Sequence, residues 1–295
     1  MATGYVLYNP KAGKTNNMED IKQLQSMLEL QLEYRDVLQI SDYRAFVADL
    51  AQDDVIILAG GDGTLNRFAN NTHGIDLPNE ILYFPNGTGN DFAHDLGKQK
   101  YAKPFPVKKY LQNLPTVTVN GKTYRFVNGV GYGIDGYCCE VGDKLKETGK
   151  KVDYTAIAIK GLLLHYKPTS AKVTVDAQTY TYKKVWLVPT MNGRFYGGGM
   201  MPTPEQSRHR NDTLSAMVFH GSGKLKTLMI FPSLFKGEHV KHTKHVAVLR
   251  GRQITVEYDR PVALQIDGET ILNVSSYTAC APVTAEEKEP AAAAV

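Results

Sequence analysis

Two glycine-rich turns of the same construction constrain most of what this chain can fold into. Gly60-Gly61-Asp62-Gly63-Thr64 follows the apolar run Val55-Ile56-Ile57-Leu58-Ala59, and Asn86-Gly87-Thr88-Gly89-Asn90-Asp91 follows Ile81-Leu82-Tyr83-Phe84. Apolar runs without alternation are what buried strands of a parallel sheet require, because both of their faces are covered. Each turn then lies at the carboxyl end of a strand and opens a helix. Open α/β sheets bind ligands at that edge, where a strand-to-helix turn points N–H groups and the positive end of a helix dipole outward. The expected occupant is a phosphate, which glycine lets the backbone approach without an intervening Cβ. Asp62 and Asp91 sit inside the same turns. A carboxylate beside a phosphate is costly unless a cation lies between them, so the pattern implies bound Mg²⁺.

The rest of the chain divides around this pattern. Over residues 5–97 the sequence alternates: a strand at 5–8, a helix at 18–32, a strand at 37–40, a helix at 43–51, then the two strand-turn-helix units. This predicts a parallel α/β domain over residues 1–115. After Lys103-Pro104-Phe105-Pro106 β runs dominate, predicting a β-rich domain over 116–284 with helical stretches at 152–166 and 224–235. Its last segment is a candidate to pack back on the first domain. Residues 285–295, with no apolar face to bury, read as a disordered tail.

A chain of 295 residues with 42% hydrophobic content is long enough for two cores. Its net charge of +4, from 34 basic and 30 acidic residues, is too small to argue for nucleic-acid binding. No export signal is legible at the N-terminus. The most apolar later stretch, 154–164, is broken by Lys160 and falls short of the ~20 residues a membrane span needs. Three cysteines, Cys138, Cys139 and Cys280, give no even disulfide framework, which fits a reducing cytoplasm. Lysines 224, 226, 236, 241 and 244 alternate with Leu225, Leu228, Met229, Phe231 and Phe235. That mixture suits either an anionic membrane surface or a solvated basic face over an ordinary core helix.

Four further motifs bear on chemistry. Asn9-Pro10-Lys11-Ala12-Gly13-Lys14-Thr15 ends like a Walker A loop, but Tyr8 stands where its first glycine should be. It is a different phosphate loop or a turn. Gly131-Tyr132-Gly133-Ile134-Asp135-Gly136 matches a dinucleotide pattern without a surrounding βαβ unit, so it is expected to mark a bend where a strand leaves its sheet. His239, His242 and His245 lie among lysines and read as a solvated face rather than a metal site. Leu264-Gln265-Ile266-Asp267-Gly268-Glu269 reads as a hairpin turn.

In order and spacing, Asn9-Pro10 to Gly13, Gly60 to Thr64, and Pro85-Asn86-Gly87-Thr88-Gly89-Asn90-Asp91-Phe92-Ala93 resemble the diacylglycerol kinase catalytic family, which includes sphingosine, ceramide and bacterial lipid kinases. Asn128 to Asp135, Gly197-Gly198-Gly199, Gly237 to Val240 and Ile266 to Glu269 are similar to later elements of that family. The resemblance implies an N-terminal NAD-kinase/phosphofructokinase-like α/β nucleotide-binding domain and a C-terminal β-sandwich-like domain, with the active site in the interdomain cleft. It implies ATP across Asn9, Gly13, Lys14, Gly60, Gly61, Gly63, Thr64, Gly87, Thr88 and Asn90. Mg²⁺ would be linked to Asp62 and Asp91. Asp267 is the implied general base, Glu269 its support and Asp62 the rival base. Relatives commonly carry Asp-Gly-x-Leu, whose aspartate helps hold a structural Mg²⁺; here the stretch reads Asn211-Asp212-Thr213-Leu214, which leaves a metal at Asp212 in doubt.

The implied activity is ATP-dependent phosphorylation of diacylglycerol or a similar lipid alcohol at the inner face of the cell membrane. A cytoplasmic, peripherally bound protein without a transmembrane segment is expected, with a homodimer possible through exposed β edges. The rival readings are a nucleotide- or lipid-binding regulator without turnover and an NAD kinase. Composition does not name the lipid.

Overall fold

The computed structural model describes residues 2–10, 17–149, 152–210 and 212–282. Gly13 and Lys14 of the first loop, and the expected tail at 285–295, lie outside the described residues. The chain forms two compact units, Met1–Asn113 and Leu114–Val295.

The first unit alternates as its apolar runs dictate: β1 (Thr3–Tyr8), α1 (Asn17–Lys22), α2 (Leu24–Met27), β2 (Gln31–Asp36), α3 (Tyr43–Ala48), β3 (Val55–Gly60), α4 (Asp62–Asn71), β4 (Glu80–Pro85), α5 (Asp91–Asp95), β5 (Phe105–Pro106) and α6 (Lys108–Leu111). The strands lie in the order β2-β1-β3-β4-β5. The first four are parallel and β5 runs antiparallel to β4. Nearly every residue of β3 and β4 is buried, which is why their sequences do not alternate. Ile21 and Leu24 cover one face through Val6, Ile57, Ala59, Leu82 and Phe84.

One stretch corrects the sequence reading. The helix expected over 18–32 is two short pieces ending at Met27, and the strand expected at 37–40 lies earlier, at Gln31–Asp36. The reason is visible in Leu28, Leu30, Leu32 and Tyr34, which alternate with polar residues. That period of two fits a strand, and Leu32 and Tyr34 pack on the core beside Val6.

The second unit begins with β6 (Thr116–Val119), β7 (Lys122–Arg125), β8 (Gly129–Gly133) and α7 (Ile134–Glu147). Next comes α8 (Tyr154–Lys160), which runs into a π-helical turn at Gly161–His165. There follow β9 (Thr169–Val175), β10 (Gln178–Val185), β11 (Leu187–Met191), β12 (Leu214–Phe219), α9 (Lys224–Ile230), β13 (Val246–Gly251), β14 (Gln253–Ile266) and β15 (Glu269–Cys280). Its ladders are antiparallel, in the order β13-β12-β11-β8-β14-β15-β6-β7. β10 and β9 join through β14.

β14 is the organising strand. Residues 254–258 pair with β9, residues 264–266 pair with β8, and the register shifts in between. Such an irregularity bends a strand, so one strand serves two parts of the sheet. The enclosed core takes Val117, Val130, Val173, Ala216, Val256 and Val274. A second cluster packs Cys138, Ile157, Leu162 and Ile230 from the helical segments on Trp186, Leu187, Met217 and Phe219.

The motif expected to mark a bend, Gly131 to Gly136, is instead a strand-to-helix junction that opens the 14-residue α7. Its glycine pattern serves close packing, since a Cβ on Gly136 would lie 2.0 Å from the Ala263 carbonyl oxygen of β14. His239 is also corrected: it is fully buried, its Nε2 2.8 Å from the Pro202 carbonyl oxygen.

Gly136→Ala is expected to lower the urea-unfolding free energy of the second unit by about 1–3 kcal/mol, the usual cost of overpacking against atoms that cannot yield. An unchanged midpoint would show that α7 does not sit on β14 this closely.

Candidate active site

Strand order alone locates the ligand edge of the first unit. From β1 the chain passes to β2 on one side and then crosses back to β3 on the other, so β1 and β3 flank a topological switch point, where α/β sheets bind ligands. Tyr8 of β1 is level with Ala59 of β3, and Gly60 with Pro85 of β4. The loops after all three strands therefore emerge at one edge. Asn9 opens the first of them.

The second and third loops are locked together residue by residue. The Gly60 carbonyl accepts from the amides of Asn86 and Gly87, both at 3.1 Å. Gly61 lies against Gly87, where a Cβ would fall 2.2 Å from the Gly61 Cα and 2.5 Å from its nitrogen. The Asp62 carboxylate accepts from the amides of Asp91 at 2.8 Å and Phe92 at 2.9 Å, holding the start of α5. Asn90, in the left-handed region at φ 50°, accepts at its Oδ1 from the Gly87 amide (3.1 Å) and donates from its Nδ2 to the Gly87 carbonyl (2.8 Å). Thr64 donates its amide to the Gly61 carbonyl at 2.9 Å. The first-turn amides of Asp62 and Gly63 have no acceptor inside α4. Gly63, Thr88 and Gly89 are exposed, while Asn90 and Asp91 are buried.

The Asp62 and Asp91 carboxylates converge beside Gly89: an oxygen of each lies 3.2 and 3.9 Å from where a Cβ on that glycine would stand. Two carboxylates at one point suit Mg²⁺, which takes one or two of them and completes its shell with water and phosphate oxygens. Asp212 differs. It is exposed, with the Thr213 hydroxyl 3.5 Å from its carboxylate. Among the described residues no group of three or more His, Cys, Asp or Glu side chains could hold a metal.

In the second unit the Asp267 turn is built from backbone. β14 and β15 are joined by Asp267 and Gly268 alone, at φ 46° and 93°. Positive φ at both central residues is the hairpin geometry that Asp-Gly favours. The Asp267 carboxylate accepts from three consecutive amides that lead into β8: Val127 at 2.5 Å, Asn128 at 2.9 Å and Gly129, its first residue, at 3.0 Å. Its own amide donates to the Gly129 carbonyl at 3.1 Å. Glu269, the first residue of β15, is exposed.

Residues that the sequence reading passed over hold this cradle. Buried Arg208 donates to the Val127 carbonyl (3.3 Å) and the Asn128 side chain (3.0 Å), and Asn192 donates to the same Val127 carbonyl at 2.9 Å. Gln206 donates to the carbonyls of Asn192 and Thr213 and accepts from Ser215 at 2.6 Å. Asp135 stands one strand away. The Gly136 and Asp135 amides and the Gln265 and Tyr196 side chains lie beside it, but none makes a well-formed hydrogen bond to its carboxylate, and burial outweighs them to raise its pKa from 3.8 to about 6.

The family model for the diacylglycerol kinase catalytic domain matches residues 3–117, and that for the YegS C-terminal NAD kinase beta sandwich-like domain matches residues 128–286. A Staphylococcus aureus (strain Newman) protein named "Putative lipid kinase" is 25% identical over 291 residues, covering 91% of each chain. Its counterpart in strain MRSA252 is 28% identical over 237 residues, covering 76% of this chain and 73% of that one. Among solved structures, one titled as a putative diacylglycerol kinase from Bacillus anthracis str. Sterne superposes with a TM-score of 0.64 at 22% identity, covering 94% of this chain and 91% of that chain.

Two outcomes test this geometry. Gly87→Ala must push two backbones apart and is expected to cost the first unit about 1–3 kcal/mol. Gly63→Ala, whose Cβ would meet nothing within 4 Å, is expected to be neutral or to stabilise by up to about 1 kcal/mol as a helical Gly-to-Ala change. Equal unfolding midpoints for the two variants would refute the backbone contact. Asp135 gives the second. Its folded pKa lies above the unfolded one, so its contribution to stability is full below about 3.8 and is lost as pH rises through about 6. The stability of the parent relative to Asp135→Asn is therefore expected to fall by about 3 kcal/mol between those limits. A flat difference across that range in urea titrations would show that Asp135 is not held without donors.

Proposed function

The chain belongs to the diacylglycerol kinase catalytic-domain family, and from that premise we propose that it is an ATP-dependent lipid kinase. It transfers the γ-phosphoryl group to the hydroxyl of diacylglycerol or a similar lipid alcohol. The observation that carries this reading is the pair of glycine loops fixed to each other at the carboxyl edge of a parallel sheet, with the Asp62 carboxylate closing the contact. Amides in fixed positions at a switch point are what a chain of phosphates needs.

In this reading Asn9, Gly13, Lys14, Gly60, Gly61, Gly63, Thr64, Gly87, Thr88 and Asn90 hold ATP. Asp62 and Asp91 would hold Mg²⁺, which when bound neutralises charge on the β- and γ-phosphates. Asp212, exposed and beside the Thr213 hydroxyl, is the third proposed Mg²⁺ ligand. Asp267 takes the proton of the acceptor hydroxyl as its oxygen bonds to the γ-phosphorus; the bond from that phosphorus to the β–γ bridging oxygen breaks, and ADP leaves with the electron pair. Three amides aim the Asp267 carboxylate, and a base that is already oriented loses little entropy at the moment of transfer. Glu269 supports the turn. The protein works from the cytoplasm at the inner face of the cell membrane and feeds phospholipid biosynthesis. No helix among the described residues is long and apolar enough to cross a membrane.

One observation favours a second reading. The carboxylates of Asp62 and Asp267 both organise backbone, so a nucleotide-binding protein without turnover would also keep them. Purified protein with Mg²⁺-ATP and mixed micelles of candidate lipid alcohols separates the two. The parent is expected to transfer phosphate, and Asp267→Asn to lose about 10²–10⁴-fold in kcat, the range of a general base, with its ATP affinity kept. Transfer by Asp267→Asn at the parental rate would remove Asp267 from the chemistry. ATP binding without transfer to any lipid would leave the regulator.

A further inference from the structure

Tyr101 stands in a backbone conformation that its side chain opposes. Seven non-glycine residues have positive φ among the described residues: Asn90, Asn120, Asp176, Asp267 and Asn273, whose short polar side chains tolerate it, Lys184 at a register shift of β10, and Tyr101 at 63°. The Gln99 carbonyl accepts from the Ala102 amide at 3.1 Å, so Tyr101 is the third residue of a turn. With positive φ at that place, glycine or asparagine is the ordinary occupant. A bulky residue held there costs free energy, and such strain persists where the surrounding contacts impose it.

Those contacts join two parts of the ligand edge. The Tyr101 amide donates to the Pro85 carbonyl at 2.8 Å, and its ring lies against Phe84 with centroids 6.2 Å apart. Both partners close β4, directly before the loop that begins at Asn86. The Tyr101 hydroxyl donates to the Asp20 carboxylate of α1 at 2.8 Å, 81 positions away in sequence. α1 has six residues, too few for a helix to hold itself in water. Ile21 anchors it in the core that includes Phe84, and Asp20 gives it a second tie. Glycine at position 101 would keep the amide contact and lose the other two. The strain is therefore matched to a connection that needs a tyrosine.

We propose that Tyr101 is a positioning residue for the nucleotide, acting through Asp20 to tie α1 to the end of β4. The stretch that carries Asn9, Gly13 and Lys14 runs from β1 to α1. Fixing α1 therefore fixes the far end of that loop against the two loops already locked through Gly60, Gly61 and Asp62. A loop with both ends held has fewer conformations to lose when it closes on a phosphate. The tie acts on nucleotide affinity and not on the transfer step. This role rests on the ATP-binding part of the kinase reading, and it is measured without turnover.

The test is calorimetric titration of the full chain with Mg²⁺-ATP in the absence of lipid. Tyr101→Phe, which removes one hydroxyl and keeps the ring, is expected to weaken ATP binding about three- to tenfold, the effect of a typical intramolecular hydrogen bond. Asp20→Ala is expected to bind ATP more weakly than Asp20→Asn by the same factor. Those two variants change the charge equally, and only asparagine keeps an oxygen for the tyrosine hydroxyl. The double variant Tyr101→Phe/Asp20→Ala is expected to bind no more weakly than Asp20→Ala, since both changes remove one contact. With lipid present, the KM for ATP of Tyr101→Phe is expected to rise by the factor seen in calorimetry while kcat at saturating ATP changes less than about twofold. Parental ATP affinity in Tyr101→Phe, or equal affinities in Asp20→Ala and Asp20→Asn, overturns the proposal and leaves the kinase reading in place. So does a lowered urea midpoint in Tyr101→Phe with an unmoved KM, which would make the tyrosine structural only. A parent that binds no ATP overturns both.

Discussion

The grip of residues 60–62 on the loop that follows β4 is the constraint on which the first unit's ligand edge depends. A carbonyl, an α-carbon and a carboxylate on three successive residues each meet the neighbouring loop. None of these contacts is large alone: a hydrogen bond to a charged group is worth about 1.5–3 kcal/mol and a neutral one about 1. Together they remove the freedom of two loops to move separately. A ligand that meets one loop thereby meets both, and their relative position is set before a ligand arrives.

The second unit uses the same device with different parts. Asp267 is placed by a two-residue turn that only a narrow set of residues can make, and its carboxylate is then fixed by three amides from a loop far away in sequence. Those amides stay in place because Arg208 and Asn192 hold the carbonyl and side chain on their other side. Buried polar networks of this kind specify one arrangement because partial satisfaction is costly. Gln206 and Ser215 extend the network to β12, so the position of Asp267 is underwritten by the sheet itself.

How much of this the sequence disclosed follows from the range over which each signal acts. The parallel strands and their glycine turns were legible because burial on both faces and positive φ are written in consecutive residues. The Asp267 hairpin was legible for the same reason. The period-two run of Leu28, Leu30, Leu32 and Tyr34 was present too, but it overlaps a plausible helix and its ambiguity is resolved only by pairing with β1. Arg208 left no local sign, since Thr203-Pro204-Glu205-Gln206-Ser207-Arg208-His209-Arg210 has the composition of a solvated loop. Its burial is decided by partners some 80 positions away.

Three aspartates beside glycines, Asp62, Asp135 and Asp267, are nearly alike as sequence and unlike as chemistry. Asp62 and Asp267 face loops whose backbones turn amides toward them, which is possible because the adjoining glycines let those backbones close in. Asp135 lies in the first turn of a helix packed so tightly on β14 that Gly136 sits under the Ala263 carbonyl, and neither of its oxygens gains a well-formed hydrogen bond. The glycine that admits donors in the first two cases admits an acceptor and close packing in the third. The outcome is two carboxylates held as orienting groups and one driven by burial toward its neutral form, up to about 6. Glycine beside an aspartate therefore signals only that the backbone comes near; whether it presents an N–H or a carbonyl oxygen decides whether the carboxyl group can work as an anion.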